Sequence, residues 1–171
     1  MTTIAYDGNV LAADTMLSRG SETDIGLQKI FMTRRFLLGV SGDAADIIPM
    51  LHFVSEVECL MMVSETVMDF YRYWARLPHI LEDHCAILVD HHGDCYSLID
   101  GPPVRVPRGM DAIGSGAKYA LGAMAYSASA KKAVEIASSY DAYTGGPIET
   151  LSVSSLRTQM AGDSLFKELI A

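Results

Sequence analysis

The chain has 171 residues, enough for one domain with a full hydrophobic core, and we expect residues 1–171 to form a single domain. Half of the residues are hydrophobic and ten are methionine, which predicts apolar surface of the kind that a homo-oligomer covers. A net charge of −8 argues against nucleic-acid binding, and no apolar run has the roughly 20 residues that span a bilayer. The three cysteines are odd in number and scattered, so we expect reduced thiols and a cytoplasmic protein.

The first strand begins at a pair of threonines, Thr2 and Thr3. Removal of Met1 would give Thr2 a free α-amine beside its own Oγ, so that one residue would carry both a nucleophile and a base. Most chains that begin with Met-Thr are not enzymes of this kind, so the dipeptide alone carries little weight.

A β-hairpin is predicted next, with its two strands joined at Asp7-Gly8. A two-residue loop would place Thr2 opposite Ala13, and a three-residue loop would place it opposite Asp14. In both registers the Asp14 carboxylate lies within one residue of Thr2, where it can stabilise a nearby cation.

A polar loop over 18–26 is predicted to lead into a strand over 27–31. Because strand side chains alternate, Leu27, Lys29 and Phe31 would share one face. Lys29 then either protects an edge strand from aggregation or places a positive charge beside an apolar pocket, and the spacing alone favours the first alternative.

The following strand, predicted over 36–40, leads through Ser41-Gly42-Asp43-Ala44-Ala45-Asp46 into a helix for which Asp43 is a suitable N-cap. Gly42 lies just before this helix, where backbone N–H groups lack internal partners and can hold an anion. A simple turn is the commoner reason for a glycine at such a place. The apolar stripe of the helix comprises Ile47, Met50, Leu51, Val54, Val57, Met61 and Met62.

The second half of the chain continues the mixture of helices and strands. Adjacent His91 and His92 lie in a predicted hairpin turn and would point apart, so we do not expect a metal site there. A helix after Ser129 is predicted to turn Ala133, Ile136, Ala137 and Tyr140 inward. The other predicted elements are a helix over 66–77, strands over 85–89, 95–99 and 111–114, a helix over 118–128, a strand over 148–153 and a short helix over 164–170.

This order of elements predicts an α+β fold. Two helical layers that flank two antiparallel sheets would cover every apolar face, which gives a four-layer αββα sandwich.

Six separated stretches together resemble one family, the proteasome β-subunits with their bacterial relative HslV, over residues 2–153. Any one stretch is weak evidence, but all of them occur in the family's order, and the resemblance favours a catalytic position for Lys29 and Gly42. The stretches are Thr2-Thr3-Ile4, Ala13-Asp14, Lys29-Ile30, Ser41 to Asp46, Ile113-Gly114-Ser115-Gly116 and Asp141-Ala142-Tyr143-Thr144-Gly145-Gly146.

The resemblance implies the N-terminal nucleophile hydrolase fold and a threonine-type endopeptidase. It assigns Thr2 as nucleophile with its freed α-amine as proton acceptor, Asp14 and Lys29 as a supporting ion pair, and the Gly42 N–H to the oxyanion hole. It also implies that a hydrogen-bond network formed by Ser115, Asp141 and Thr144 completes the site. Four residues match positions of the family's primary specificity pocket, so the pocket should be apolar: Leu27, Phe31, Val40 and Ala44.

The resemblance further implies a self-compartmentalising protease made of stacked homo-oligomeric rings. Its substrate would be unfolded polypeptide, delivered by an ATP-dependent unfoldase, with no nucleic-acid or membrane partner. Hexameric and heptameric rings both remain open. We expect no cofactor in peptide hydrolysis, and we allow for a structural monovalent or divalent cation bound by backbone carbonyls.

Two other functions fit the same sequence. A catalytically silent ring or scaffold subunit would retain Met1, because the nitrogen of Thr2 would then be an amide and not a base. A small-molecule amidase of the N-terminal nucleophile class is the other alternative, and the stretches at 41–46 and 114–116 favour a ring protease over it.

Overall fold

The computed structural model describes residues 2–61, 85–99 and 103–169, so the helix predicted over 66–77 lies outside the described residues. The strands are Thr3–Tyr6 (β1), Val10–Asp14 (β2), Met16–Arg19 (β3), Glu22–Ile25 (β4), Ile30–Met32 (β5), Phe36–Ser41 (β6), Cys85–Asp90 (β7), Cys95–Ile99 (β8), Val104–Arg105 (β9), Asp111–Gly114 (β10) and Ile148–Ser152 (β11). The helices are Ile47–Leu60 (α1), Ala117–Ala125 (α2), Ala130–Ser138 (α3) and Val153–Leu169 (α4), and a 3-10 turn over Ala44–Asp46 precedes α1.

The strands form two main antiparallel sheets. One has four strands in the order β10-β1-β2-β11, and the other has five in the order β5-β6-β7-β8-β9. Strands β3 and β4 form a separate two-stranded hairpin.

Three apolar clusters define four layers. The two main sheets pack on each other through large side chains such as Ile4, Leu11, Leu37 and Ile87. Helix α1 covers the outer face of the five-stranded sheet. Helices α2 and α3 cover the outer face of the four-stranded sheet, where alanines allow close approach. The predicted αββα sandwich is therefore confirmed.

The first hairpin has a wider turn than predicted. The pairing of Ile4 with Ala13 places Asp14 across from Thr3, so both predicted registers are wrong. The Asp7 side chain explains the difference, because its Oδ1 accepts from the N–H groups of Asn9 and Val10 at 3.0 and 2.9 Å and so holds a longer loop closed. Asp14 nevertheless remains next to Thr2.

The segment predicted as a polar loop over 18–26 is largely the β3–β4 hairpin, and the strand predicted over 27–31 is shifted to β5. The hairpin was missed because β4 is exposed along its length, β3 is only partly buried, and neither strand shows an apolar alternation. Since Leu27 and Lys29 precede β5, the strand alternation that placed them on one face with Phe31 does not apply.

Two predictions near the C-terminus are also wrong. The last helix begins at Val153, far before the predicted residue 164, because Ser152 Oγ accepts from the N–H of Ser155 at 3.1 Å and caps it. Helix α3 ends at Ser138, so Tyr140 lies beyond it and is 69% exposed instead of inward.

Candidate active site

The two threonines at the start of β1 face opposite sides of the four-stranded sheet. In a strand, side chains two residues apart share a face. Thr3 therefore shares the helix-covered face with Ala5, and Thr2 shares with Ile4 the face that lies between the two sheets. Thr2 therefore opens toward the five-stranded sheet, where Lys29, just before β5, and Val40 of β6 line the same cleft. Thr2 is only 2% exposed.

The Asp14 carboxylate is the centre of the contacts around Thr2. It lies at the end of β2, is fully buried, and its Oδ1 accepts from Thr2 Oγ1 at 2.5 Å. The same oxygen accepts from the Thr3 N–H at 2.8 Å and from Lys29 Nζ at 2.9 Å. One oxygen atom thus joins the threonine hydroxyl to the lysine ammonium.

Lys29 is held in place by a second acceptor. Its Nζ donates to the Met16 carbonyl at 2.7 Å, and the side chain is 3% exposed. Backbone N–H groups of Met16 and Gly145 donate to Asp14 Oδ2 at 3.1 Å each, which fixes the carboxylate itself. Burial lowers the pKa of the Lys29 ammonium, while the charge of Asp14 acts to raise it. The edge-strand alternative for Lys29 is therefore wrong.

A small cleft of about 20 Å³ connects Thr2 with Lys29 and Gly42. This volume suffices for about one water molecule. Gly42 has φ of +141°, a backbone conformation that a residue with a side chain would adopt only under strain. Asp43 caps the following 3-10 turn as predicted, with its carboxylate accepting from the N–H of Ala45 at 3.0 Å.

Three of the four predicted specificity residues line this cleft: Leu27, Val40 and Ala44. Phe31 does not; it packs at the margin of the cluster between α1 and the five-stranded sheet. Phe31 lies inside β5, whereas Leu27 and Lys29 precede that strand, so the three do not share one strand face as predicted. Met16, Leu17 and Ile47 line the cleft as well and were not singled out from the sequence.

The predicted polar network forms on the other side of β1. Asp141 Oδ2 accepts from Ser115 Oγ and from Thr144 Oγ1, at 2.6 Å each. Ser115 Oγ also lies 3.4 Å from the Thr2 carbonyl oxygen. Partial burial acts to raise the pKa of Asp141, but the hydrogen bonds from Ser115 and Thr144 outweigh it, so the pKa lies below its usual value.

Thr3 connects this network to the ion pair. Its Oγ1 lies 2.6 Å from Thr144 Oγ1. Because the single Thr144 hydroxyl proton goes to Asp141, Thr3 is the donor in that contact. Since the Thr3 N–H binds Asp14, one fully buried residue bridges both halves of the site. Apart from the doubled threonine, no feature of the sequence points to this role.

Two glycines, Gly114 and Gly116, allow the chain after β10 to pack closely against Thr2 and Thr3. A side chain at Gly114 would collide with the backbone of Thr2, and one at Gly116 would collide with the hydroxyl of Thr3. The Gly-Ser-Gly sequence after β10 therefore reflects close packing against the two threonines, with Ser115 left free to reach Asp141.

The described residues hold no group of three or more His, Cys, Asp or Glu side chains suited to a metal. Within the same residues, no helix combines the length and apolar character needed to cross a membrane. Cys59, Cys85 and Cys95 form no disulfide bonds within the part of the chain that the structure describes.

No protein-family model matches the sequence, and no curated protein shows significant similarity to it. Solved structures do match. HslV from Trypanosoma brucei has a TM-score of 0.68 at 18% identity, with 88% of this chain and 98% of that chain covered. Thiobacillus denitrificans BPH in complex with epoxomicin has a TM-score of 0.69 at 18% identity, with 89% and 97% covered. BPH without that ligand gives 0.66 at 19%, with 88% and 96% covered. The resemblance to HslV seen in the sequence is thus confirmed at the level of the fold.

Proposed function

We propose that this chain is a threonine-type endopeptidase subunit of a self-compartmentalising ring protease, active once Met1 has been removed. The observation that carries the proposal is the contact of Thr2 Oγ1 and Lys29 Nζ with the same Asp14 oxygen, in a cleft also lined by Gly42. A nucleophile, a fixed positive charge and a glycine backbone next to a helix start are together what acyl transfer needs.

The proposed reaction begins with proton transfer from Thr2 Oγ to the freed α-amine of the same residue. The oxygen attacks the peptide carbonyl carbon, and the negative charge that develops on the carbonyl oxygen is stabilised by the Gly42 N–H, a contribution of about 3–4 kcal/mol for one such donor. The α-amine then returns the proton to the leaving amine. Water hydrolyses the resulting threonine ester and regenerates the hydroxyl.

Lys29 supports this base through its charge. A free α-amine has a pKa of about 7.7–8.0, and a nearby ammonium favours its neutral form. Activity should therefore rise with pH through an amine pKa at or below this range. Asp14 keeps the ammonium charged and in place despite burial.

The apolar cleft supports a preference for apolar side chains at the cleaved bond, with Leu27, Val40 and Ala44 as contact residues. Phe31 remains a candidate only if the cleft widens when substrate enters. The same proposal includes unfolded polypeptide as the substrate, a cytoplasmic location, stacked homo-oligomeric rings and an ATP-dependent unfoldase as the partner. The native mass of the assembly distinguishes six-membered from seven-membered rings.

The decisive experiment combines intact mass with labelling. The full chain is purified, loss of Met1 is read from its mass, and a threonine-directed β-lactone or epoxomicin is added before peptide mapping. We expect one adduct on Thr2 and hydrolysis of peptides with apolar side chains. Thr2→Ala is the matched control, because alanine is also small enough to permit Met1 removal, and it should lower kcat by at least about 10³-fold.

A catalytically silent ring or scaffold subunit is the second candidate. The narrowness of the cleft favours it, because about 20 Å³ beside a 2% exposed Thr2 is the space of about one water molecule. This candidate predicts the same assembly with no adduct and no hydrolysis, even in chains that have lost Met1. Faster turnover of simple amides than of peptides would instead indicate a small-molecule amidase.

A further inference from the structure

Glu58 is a buried carboxylate outside the site described above. It lies on α1, is 4% exposed, and binds the turn that joins β5 to β6. Its Oε1 accepts from Thr33 Oγ1 at 2.5 Å and from the Arg35 N–H at 2.8 Å. Its Oε2 accepts from the Arg34 N–H at 3.2 Å. Both carboxylate oxygens therefore bind this one turn.

The same turn is held from two further directions. Gln159 on α4 donates from Nε2 to the Thr33 carbonyl at 2.9 Å. Arg35 donates from Nη2 to the carbonyl of Met61, the residue that follows α1, at 3.2 Å. Helices α1 and α4 thus meet at a single turn of the five-stranded sheet.

The elements joined at this turn also carry the two walls of the cleft. Lys29 belongs to one wall, and the segment from Gly42 to Ile47 forms the other. Lys29 immediately precedes β5, and the Glu58-bound turn follows the other end of that strand, roughly 10 Å away for a three-residue strand. Ile47, which lines the cleft, is the first residue of α1, and Glu58 lies roughly 17 Å further along the helix. The far ends of both walls are therefore fastened to each other.

We propose that Glu58 is a positioning residue for hydrolysis, which fixes α1 against β5 so that the wall of Gly42 to Ile47 stays in place opposite Lys29 and Thr2. The inference rests on the proposed function for its catalytic consequence. Its geometric part, a fixed spacing of the two walls, applies whether or not the chain is an enzyme.

A carboxylate suits this place better than any neutral side chain. It offers two acceptor oxygens to two backbone N–H groups and one hydroxyl, all of which can donate. In Glu58→Gln the side chain has almost the same shape, but its NH2 group would face one of the N–H donors. That variant breaks part of the attachment without leaving a cavity.

The test compares Glu58→Gln with Glu56→Gln, an exposed position on the same helix. Arg157→Ala serves as a second control, because Arg157 on α4 binds the carbonyls of His91 and His92 at 2.6 and 3.2 Å and is not among the cleft residues. It should destabilise the fold without moving the walls. Two readouts are recorded: kcat and KM on an apolar peptide, and hydrogen exchange of the amides over 27–32 and 41–47.

We expect Glu58→Gln to lower kcat by about tenfold with KM changed by less than about twofold, since misplaced catalytic groups cost rate before binding. Exchange over 27–32 and 41–47 should be at least about fivefold faster in this variant alone. Wild-type kcat and wild-type exchange in Glu58→Gln would overturn the inference, as would the same kcat loss in Arg157→Ala. If the wild-type chain hydrolyses nothing, the proposed function fails, and the exchange data alone decide the role of Glu58.

Discussion

Two carboxylates, Asp14 and Asp141, lie on opposite sides of the strand that carries Thr2, in different surroundings. Asp14 is fully buried, sits at the end of a sheet strand and binds a lysine ammonium. Asp141 is partly exposed, sits in the loop after α3 and binds hydroxyl groups. The buried Asp14 charge needs the Lys29 ammonium as its partner. Water, in contrast, can replace the hydroxyl groups that bind Asp141. The two halves of the site should therefore respond very differently to mutation.

The largest effect is expected for the buried half. Lys29→Met leaves the Asp14 charge unpaired in the interior, which should lower the free energy of unfolding by about 3–5 kcal/mol. Urea denaturation of the full chain measures it. The double variant Asp14→Asn/Lys29→Met should recover part of the loss, and Lys132→Met, which removes an exposed pair with Glu135, should change little. Equal losses for the two lysines would contradict the comparison.

A smaller effect is expected where the halves meet. Thr3→Val removes the hydroxyl that donates to Thr144 and should cost about 1–2 kcal/mol, since the shape is retained and one buried hydrogen bond is lost. Thr3→Ser keeps the hydroxyl and should keep most of kcat. If Thr3→Val and Thr3→Ser lost kcat equally, the bridge between the halves would have no role in positioning Thr2.

The exposed half should tolerate substitution best. Ser115→Ala removes a hydrogen bond to Asp141 and should cost about 0.5–1.5 kcal/mol, because water can reach the carboxylate. It should also raise the pKa of Asp141, which NMR titration of the carboxyl carbon can follow. A loss as large as that of Lys29→Met would show that the two halves are equally buried in solution.

The smallest effects concern pH. The pKa of Asp141 lies below its ordinary value of 3.8, so its contribution to stability is present above that value and disappears as the pH falls through the lower, folded pKa. Burial raises the pKa of Glu58 above its ordinary 4.5, so the folded chain binds the proton more tightly and this group makes stability rise as the pH falls toward 4.5. Thermal unfolding of Ser115→Ala and Glu58→Gln across pH 3–7 should therefore show changes of slope with opposite sign.

The sequence predicted best those parts of the fold that are marked by apolar patterning. Strands β6 and β7 follow from continuous apolar runs, and the layer order follows from the apolar faces of the helices and strands. The β3–β4 hairpin and the extended α4 carry no such pattern, because their residues are mostly polar or exposed. The first hairpin's register depended on one Asp7 side chain, which also accepts from the N–H of Ala130 at the start of α3. That contact spans most of the chain and leaves no local signal.

Within the candidate site, the side chains could be predicted and the backbone contacts could not. Asp14, Lys29, Ser115, Asp141 and Thr144 do lie around the two threonines. The Met16 carbonyl and the Gly145 N–H, which fix the ion pair, belong to residues whose type says nothing about the contact. Phe31 was misplaced because β5 begins only at Ile30, so the strand alternation that grouped Phe31 with Leu27 and Lys29 does not extend to those two residues.

If the proposed function holds, the opposed faces of Thr2 and Thr3 set a strict requirement on how Met1 is removed. If a peptidase cut one bond too late, the new terminus would again be a threonine with a free amine, chemically the same as the intended one. Its hydroxyl, however, would lie among the helices on the far side of the sheet, where neither Lys29 nor Gly42 could assist it. Under the proposed function, the doubled threonine is thus no spare nucleophile, and removal of Met1 would have to be accurate to a single residue.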